Sequence, residues 1–325
     1  MLVVYRREGT ALRAQTVGPG AIVASDAIWI DLLNPTLEEE RAVEELSSLD
    51  VPTREEMQEI EISSRLYTDN GAIYTTATLI CATDTPNPRT APVTFILTNR
   101  RLVTVRYDEP RAFALIAAKL ARSAPADLDG GAVLLELLDT VIDRLADVLE
   151  RAAADVDQVS RDIFTPNRSH AGHPNRYAHI LITIGGQGDL TSKIRESLVS
   201  IGRLVLYLSN DTDAARWDKE ARARLKTMHR DVQSLSDHAS YLSNKMTFVL
   251  DAMLGVVNLE QNNIIKLFSV MAVILMPPTL IASVYGMNFR HMPELDWWAG
   301  YPLALIAMLA AAVLPYLYFK RKGWL

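Results

Sequence analysis

Cysteine is almost missing from this sequence. Its 325 residues hold one, Cys81, which rules out an intrachain disulfide and a cysteine-built zinc centre. It reads as a buried strand or loop thiol. A basic-then-apolar leader is missing from the opening MLVVYRREGT, so nothing predicts export of the N-terminal part. There is no surplus of positive charge either. Thirty-three Lys and Arg stand against 39 Asp and Glu, a net charge of −6, which gives no reason to expect a nucleic-acid partner. A nucleotide fingerprint is also lacking. Ile184-Gly185-Gly186-Gln187-Gly188 has neither the Lys-Ser/Thr ending of a phosphate loop nor dinucleotide-site spacing. No nucleophile–base pair marks an enzyme. His170 and His173 have no nearby carboxylate or cysteine and read as a solvated helix connection.

Charge is missing from two long runs, and these organise the chain. Leu267–Gly286 and Ala299–Phe319 hold 20 and 21 residues without a charge. That is enough for a helix to cross about 30 Å of hydrocarbon. The expectation is a two-pass membrane protein whose residues 1–264 are polar enough to be soluble. Lys266, Lys320, Arg321 and Lys322 flank one side, and the connecting turn carries Arg290, Glu294 and Asp296. By charge bias both termini are cytoplasmic and the turn lies outside. Trp297, Trp298 and Tyr301 mark the outer interface; Tyr316, Tyr318, Phe319 and Trp324 mark the inner one.

Ahead of the runs, the pattern predicts an α/β domain over 1–125. Strands are expected in the opening LVVY, around Ile28–Leu32, and over Arg65–Thr68, Ala72–Cys81, Val93–Thr98 and Leu102–Arg106. Asp69-Asn70-Gly71 and Asn99-Arg100 have hairpin chemistry, and TDTPNPRTAP reads as a loop. Thr36 and Glu39 have capping-box spacing for a helix reaching about Ser48, and a second short helix is expected after Pro52-Thr53. Residues 126–212 read as antiparallel acidic helices, with breaks near 165–176 and 210–213, after a helix over about Pro110–Ala121. From Ala214 no compelling breaker occurs before Met276, so 213–264 reads as a long stalk helix running on into the first span, 265–288. If continuous, it is about 105 Å long and needs neighbours, which points to an oligomeric stalk. An outer loop (289–298), a second span (299–319) and a basic tail (320–325) follow.

Asp251, Gly255, Asn258, Asn262, Ile265, Ser269, Ala272, Met276, Thr279 and Ser283 recur at intervals of three or four and form one helical stripe. Two readings stand. In a ring of identical subunits the stripe lines a pore, with Ile265, Met276 and nearby Phe268 as dewetting constrictions. Otherwise it is ordinary helix packing with Asn258 and Asn262 as interhelical hydrogen bonders. At the end of the span, Gly286 is expected to free the backbone from the helix. Released carbonyls and the Asn288 amide oxygen then offer neutral ligands to a hydrated cation; Mg2+ fits, because it dehydrates reluctantly. Glu294 and Asp296 are expected to concentrate cations outside. Pro277 and Pro278 should loosen or bend the span.

Tyr285-Gly286-Met287-Asn288-Phe289, Met292-Pro293-Glu294-Leu295, Gly300-Tyr301-Pro302 and the closing Tyr318-Phe319-Lys320-Arg321-Lys322-Gly323-Trp324-Leu325 occur in order. Together they resemble the CorA family of magnesium transporters. Asn258 to Lys266 and Pro277-Pro278-Thr279 resemble its enterobacterial type. The close similarity covers about 245–325; over 1–240 it rests on element order and length.

The resemblance implies a funnel-shaped homopentamer in the bacterial inner membrane: a cytoplasmic α/β domain, a helical stalk and two transmembrane helices. It implies Gly286, Met287 and Asn288 as the selectivity filter, and Asn262, Ile265, Phe268, Met276 and Thr279 as polar pore and gate positions. Mg2+ is then both substrate and regulatory ligand, Co2+ and Ni2+ are alternative substrates, and flow is passive. For regulation the stalk offers Asp231, Asp237 and Asp251, while Thr227 stands where one familiar sensor type has an aspartate. The alternatives are a zinc transporter of the same superfamily and a membrane-anchored protein-binding scaffold.

Overall fold

The computed structural model describes residues 1–18, 24–85, 87–98, 101–125, 127–164, 176–211, 217–289, 292–293 and 297–324. Contacts divide the chain into two units, Met1–Val249 and Leu250–Leu325.

The first unit is built on a seven-stranded sheet: β1 (Leu2–Glu8), β2 (Ala11–Val17), β3 (Trp29–Leu33), β4 (Leu66–Asp69), β5 (Ala72–Cys81), β6 (Arg89–Leu97) and β7 (Leu102–Arg106), in the order β2-β1-β3-β7-β6-β5-β4. Only β3 and β7 run parallel. Every residue of β3, β5 and β7 is buried, as expected for strands covered on both faces. Edge strand β2 exposes four of its seven residues. That polar composition is why its sequence, ALRAQTV, does not announce a strand. Between β4 and β5, Asn70 and Gly71 take φ of 47° and 76°, the paired positive values of a tight hairpin turn.

The loop expected over TDTPNPRTAP ends early, because β6 starts at Arg89, opposite Cys81. Pro92 sits in the strand opposite Thr78, but β7 pairs with β6 only from Val93 onward. An unpaired edge there lets a missing N–H go without loss of a ladder bond. Asn99 and Arg100 lie outside the described residues.

Helix α1 (Leu37–Ser47) begins as its sequence predicts. Thr36 Oγ1 accepts from Glu39 N–H at 3.3 Å, and the Glu39 carboxylate accepts from Thr36 N–H at 2.9 Å. The helix expected after Pro52-Thr53 shrinks to a 3-10 turn, Glu56–Gln58, and α2 is a single turn, Ile62–Arg65. Leu2, Val4, Ile30, Leu32, Val43, Ile96, Val103 and Val105 make one core cluster. The alternate positions of β3 and β7, on the other face of the sheet, carry a buried polar chain. Trp29 Nε1 donates to Thr104 Oγ1 at 3.0 Å, Thr104 donates to Asp31 at 2.7 Å, and Arg106 donates to Asp31 at 2.7 Å. The guanidinium of Arg106 also lies 4.6 Å from the Phe113 ring centre.

Four long helices follow: α3 (Arg111–Arg122), α4 (Gly130–Phe164), α5 (Arg176–Ser209) and α6 (Lys219–Tyr285). Gly130 opens α4 hard against β7; a Cβ there would stand 2.3 Å from the Arg101 carbonyl carbon and 2.5 Å from Leu102 N. In the middle of α5, by contrast, a Cβ on Gly185, Gly186 or Gly188 meets nothing within 4 Å. Helix α6 starts later than its sequence suggests. Asp218 caps it, with Ala221 N–H donating to Asp218 Oδ1 at 2.6 Å, and Trp217 is buried just before it. Within the first unit α6 buries Leu225, Met228, Val232, Ala239, Leu242, Met246 and Val249, a seam at intervals of three, four and seven. Arg224 pairs with Glu136 at 2.9 Å and Asp139 at 2.5 Å, Lys245 pairs with Asp157, and Phe164 stacks on Phe248 at 6.2 Å.

Two expected outcomes follow from these contacts. Gly130→Ala destabilises the fold by about 3 kcal/mol through backbone overlap. Gly186→Ala stabilises it by about 0.5–1 kcal/mol, because helix entropy improves with no steric cost; thermal unfolding midpoints should move in opposite directions. The second outcome concerns pH. The Lys245 hydrogen bond and charge hold the Asp157 carboxyl below its ordinary range. A depressed folded-state value means the contribution is present above the unfolded value, about 3.9, and is lost as pH falls through the folded one. Amide exchange around Asp157 and Lys245 should therefore rise on acidification in this window, and the rise should vanish in Lys245→Met.

Candidate ion pathway

Helix α6 runs on from the first unit into the second, and its surroundings change. After Met253 the only buried residue on it is Val270. Among the described residues the second unit contains one further helix, α7 (Gly300–Arg321), on which Gly300 and Ala304 are buried. Both α6 and α7 are long and apolar enough to cross a membrane. On α6 buried Val270 and the partly covered positions Val256, Ile274, Ile281 and Tyr285 fall on one side. At about 100° per residue that side is roughly opposite the small and polar stripe. Asp251, Gly255, Asn258, Asn262, Ile265, Ser269, Ala272, Met276, Thr279 and Ser283 are exposed without exception. Phe268, at the edge of the stripe, is 65% exposed.

Pro277 and Pro278 lie inside α6, and the helix runs unbroken through both. A proline nitrogen cannot donate, so the carbonyls of Val273 and Ile274 lose their ordinary helical partners. Just beyond, the Thr279 hydroxyl donates to Leu275 O and Met276 O, each at 2.8 Å. Its oxygen is thus turned back on its own helix.

The helix ends at Tyr285. Gly286 N–H donates to Ala282 O at 3.0 Å, and Met287 N–H donates to Val284 O at 3.3 Å, a tightening of the last turn. The chain leaves the helix at Gly286, as its sequence suggests. Gly286 is not among the positive-φ residues, so it does so without a left-handed step. What distinguishes the position is space, since a Cβ would stand 3.2 Å from Ala282 O. Gly286, Met287 and Asn288 are all exposed. Glu294 and Asp296 lie outside the described residues, as do His170 and His173.

Asp231, Asp237 and Asp251 are exposed on α6. Asp231 is close enough to Asp143 to act on it. Burial raises the Asp143 carboxyl, and the charges of Asp139, Asp147 and Asp231 raise it further, against Lys119. Asp231 thus joins an acidic patch shared by α4 and α6, whose α4 members sequence reasoning treated only as part of an acidic region. Among the described residues no group of three or more His, Cys, Asp or Glu side chains is placed to hold a metal ion.

A family model described as CorA-like Mg2+ transporter protein matches residues 24–321. The magnesium transport protein CorA of Haemophilus influenzae is 36% identical over 299 residues, 92% of each chain. That of Salmonella typhimurium is 36% identical over 300 residues, again 92% of each. Among solved structures, the complete CorA magnesium transporter of Methanocaldococcus jannaschii superposes with a TM-score of 0.78 at 19% identity, covering 100% of this chain and 99% of that one. The chain belongs to the CorA family of Mg2+ transporter proteins, and α6 and α7 carry its two spans of the bacterial inner membrane.

Proposed function

We propose that copies of this chain surround an axial passage that admits Mg2+ into the cell, with α6 lining it and α7 outside. The observation that carries this reading is the stripe. Ten small, polar or constricting positions stay exposed on α6, on the side away from its covered face. Amide and hydroxyl groups facing hydrocarbon cost free energy; a wet axis shared by several copies removes that cost. Five copies is the number the family resemblance implies.

In this reading Gly286, Met287 and Asn288 form the filter at the outer mouth. Mg2+ is met there with its water shell intact, by carbonyl and amide oxygens that hydrogen-bond to the shell without replacing it. Asn258, Asn262, Ser269 and Thr279 continue the wet side inward, while Ile265, Phe268 and Met276 narrow it and stop flow by dewetting. Glu294 and Asp296 raise the local cation concentration outside. Lys266, Lys320, Arg321 and Lys322 place both termini in the cytoplasm. A divalent ion then gains about 4.6 kcal/mol per 100 mV of inward potential, which suffices for passive uptake. Co2+ and Ni2+ are further substrates.

Internal Mg2+ closes the passage by binding acidic residues of the soluble unit, for which Asp231 with its α4 neighbour Asp143 is one candidate. An ion bound preferentially to the closed arrangement shifts the population toward it.

In proteoliposomes, Asn288→Ala should lower Mg2+ flux at least tenfold or relax its selectivity. Unchanged flux and selectivity would falsify the filter assignment. Ile265→Ser, which hydrates a constriction, should raise flux at high internal Mg2+; the wild type should be inhibited there, and its failure to respond would end the proposed regulation. Particle mass in detergent separates an oligomeric pore from an anchored scaffold.

A further inference from the structure

The end of α7 is folded into a specific turn. Gly323 has φ of +68°. Its N–H donates to Lys320 O at 3.2 Å, and Trp324 N–H donates to Phe319 O at 3.1 Å. This is the double hydrogen-bond pattern of a left-handed helix closure, and the apolar contact that accompanies such closures is present. The Trp324 indole stacks on Phe319 with ring centres 5.4 Å apart and planes 26° apart. The reversal returns the indole to the level of the last helical turn.

That turn also carries three cations. Lys320, Arg321 and Lys322 are exposed, and none is paired with a carboxylate among the described residues. The Lys320 ammonium lies 6.0 Å from the Tyr316 ring centre. A helix C-terminus contributes about half a negative charge, which three cations outweigh. The electrostatics therefore favour an anion at a depth set by the membrane span itself, beside the exposed side chains of Leu314, Leu317 and Tyr318.

We propose that this closure is a binding site for the phosphate headgroup of an anionic phospholipid in the leaflet that meets the end of α7. Arg321 supplies a planar fork for two phosphate oxygens, and Lys320 and Lys322 supply point charges. The Trp324 indole, held on Phe319, presents its N–H to the headgroup at the interface. The acyl chains lie along the apolar side chains of α7. A lipid is favoured over free phosphate because apolar surface and cations meet at one level.

The test uses the full chain in nanodiscs of phosphatidylcholine with and without phosphatidylglycerol, with retained lipid read by native mass spectrometry. The wild type should retain phosphatidylglycerol selectively. The triple variant Lys320→Gln, Arg321→Gln, Lys322→Gln should lose roughly 100-fold in affinity, at about 1 kcal/mol per cation. Arg321→Lys keeps the charge and loses the fork. Gly323→Ala keeps all charges and meets nothing within 4 Å, so it acts only through its strained φ. Each should lose about tenfold. Wild-type retention in both of these variants would mean diffuse surface attraction and would overturn the site. So would equal retention of phosphatidylcholine, or displacement of the lipid by inorganic phosphate. The readout is independent of Mg2+ flux, so its failure leaves the transport reading standing.

Discussion

Hydrocarbon offers a peptide group no hydrogen bond, so a segment that crosses it must satisfy its backbone from within. Everything distinctive about this chain follows from how α6 meets that demand while belonging to two environments. Through Val249 its buried side is an ordinary soluble seam, with Leu225, Met228, Val232 and Leu242 each at or below 3% exposure. Full burial of such a side chain contributes about 1.5–3 kcal/mol. Beyond Met253 the seam ends and Val270 is its only buried successor. The same rod that is held by a core at one end has little of its own chain to touch at the other.

The polar contacts around α6 act differently from the seam. Arg224 with Glu136 and Asp139, and Lys245 with Asp157, are partly exposed pairs, a class that contributes between nothing and about 1 kcal/mol. Their value lies in register, because they fix which turn of α6 faces which turn of α4. Asp31 and Arg106 are another case, at 2% and 9% side-chain exposure. Removing one partner there would strand a charge, so the pair must be kept whole once it exists. It ties the parallel strands β3 and β7 at the centre of the sheet, where a slip in register would be most damaging.

Much of this was legible in the sequence where one local signal dominated. Strands β5 and β7 coincide with their expected bounds, and α1 opens on its capping box, because uninterrupted apolar runs and cap chemistry act over a few residues. Strand β2 was hidden by its polar edge position, and the start of β6 by a proline tolerated beside an unpaired edge. The start of α6 moved to Lys219 because Asp218 is the residue that caps. For the candidate site, the stripe and the Gly286-Met287-Asn288 segment were readable as pattern and resemblance. Backbone conformation was not. The chain leaves the helix at Gly286 without a positive φ, while Gly323, within the stretch read only as a basic tail, takes the left-handed one. Which glycine is strained depends on hydrogen bonds several residues away, and composition does not carry that information.

Pro277 and Pro278 add a separate line of reasoning. They remove two donors from the middle of a membrane helix, and the nearest side-chain donor, Thr279, gives its proton to Leu275 O and Met276 O, leaving the carbonyls of Val273 and Ile274 without their helical partners. An unsatisfied backbone group in hydrocarbon costs several kcal/mol. Water or a neighbouring chain can relieve that cost, and lipid supplies neither. The exposed amide and hydroxyl groups of the stripe make the same demand through side chains. Two unrelated features of the sequence, one in the backbone and one in the side chains, thus leave α6 with polar groups that its own chain does not satisfy, the demand that the proposed arrangement of several copies would meet.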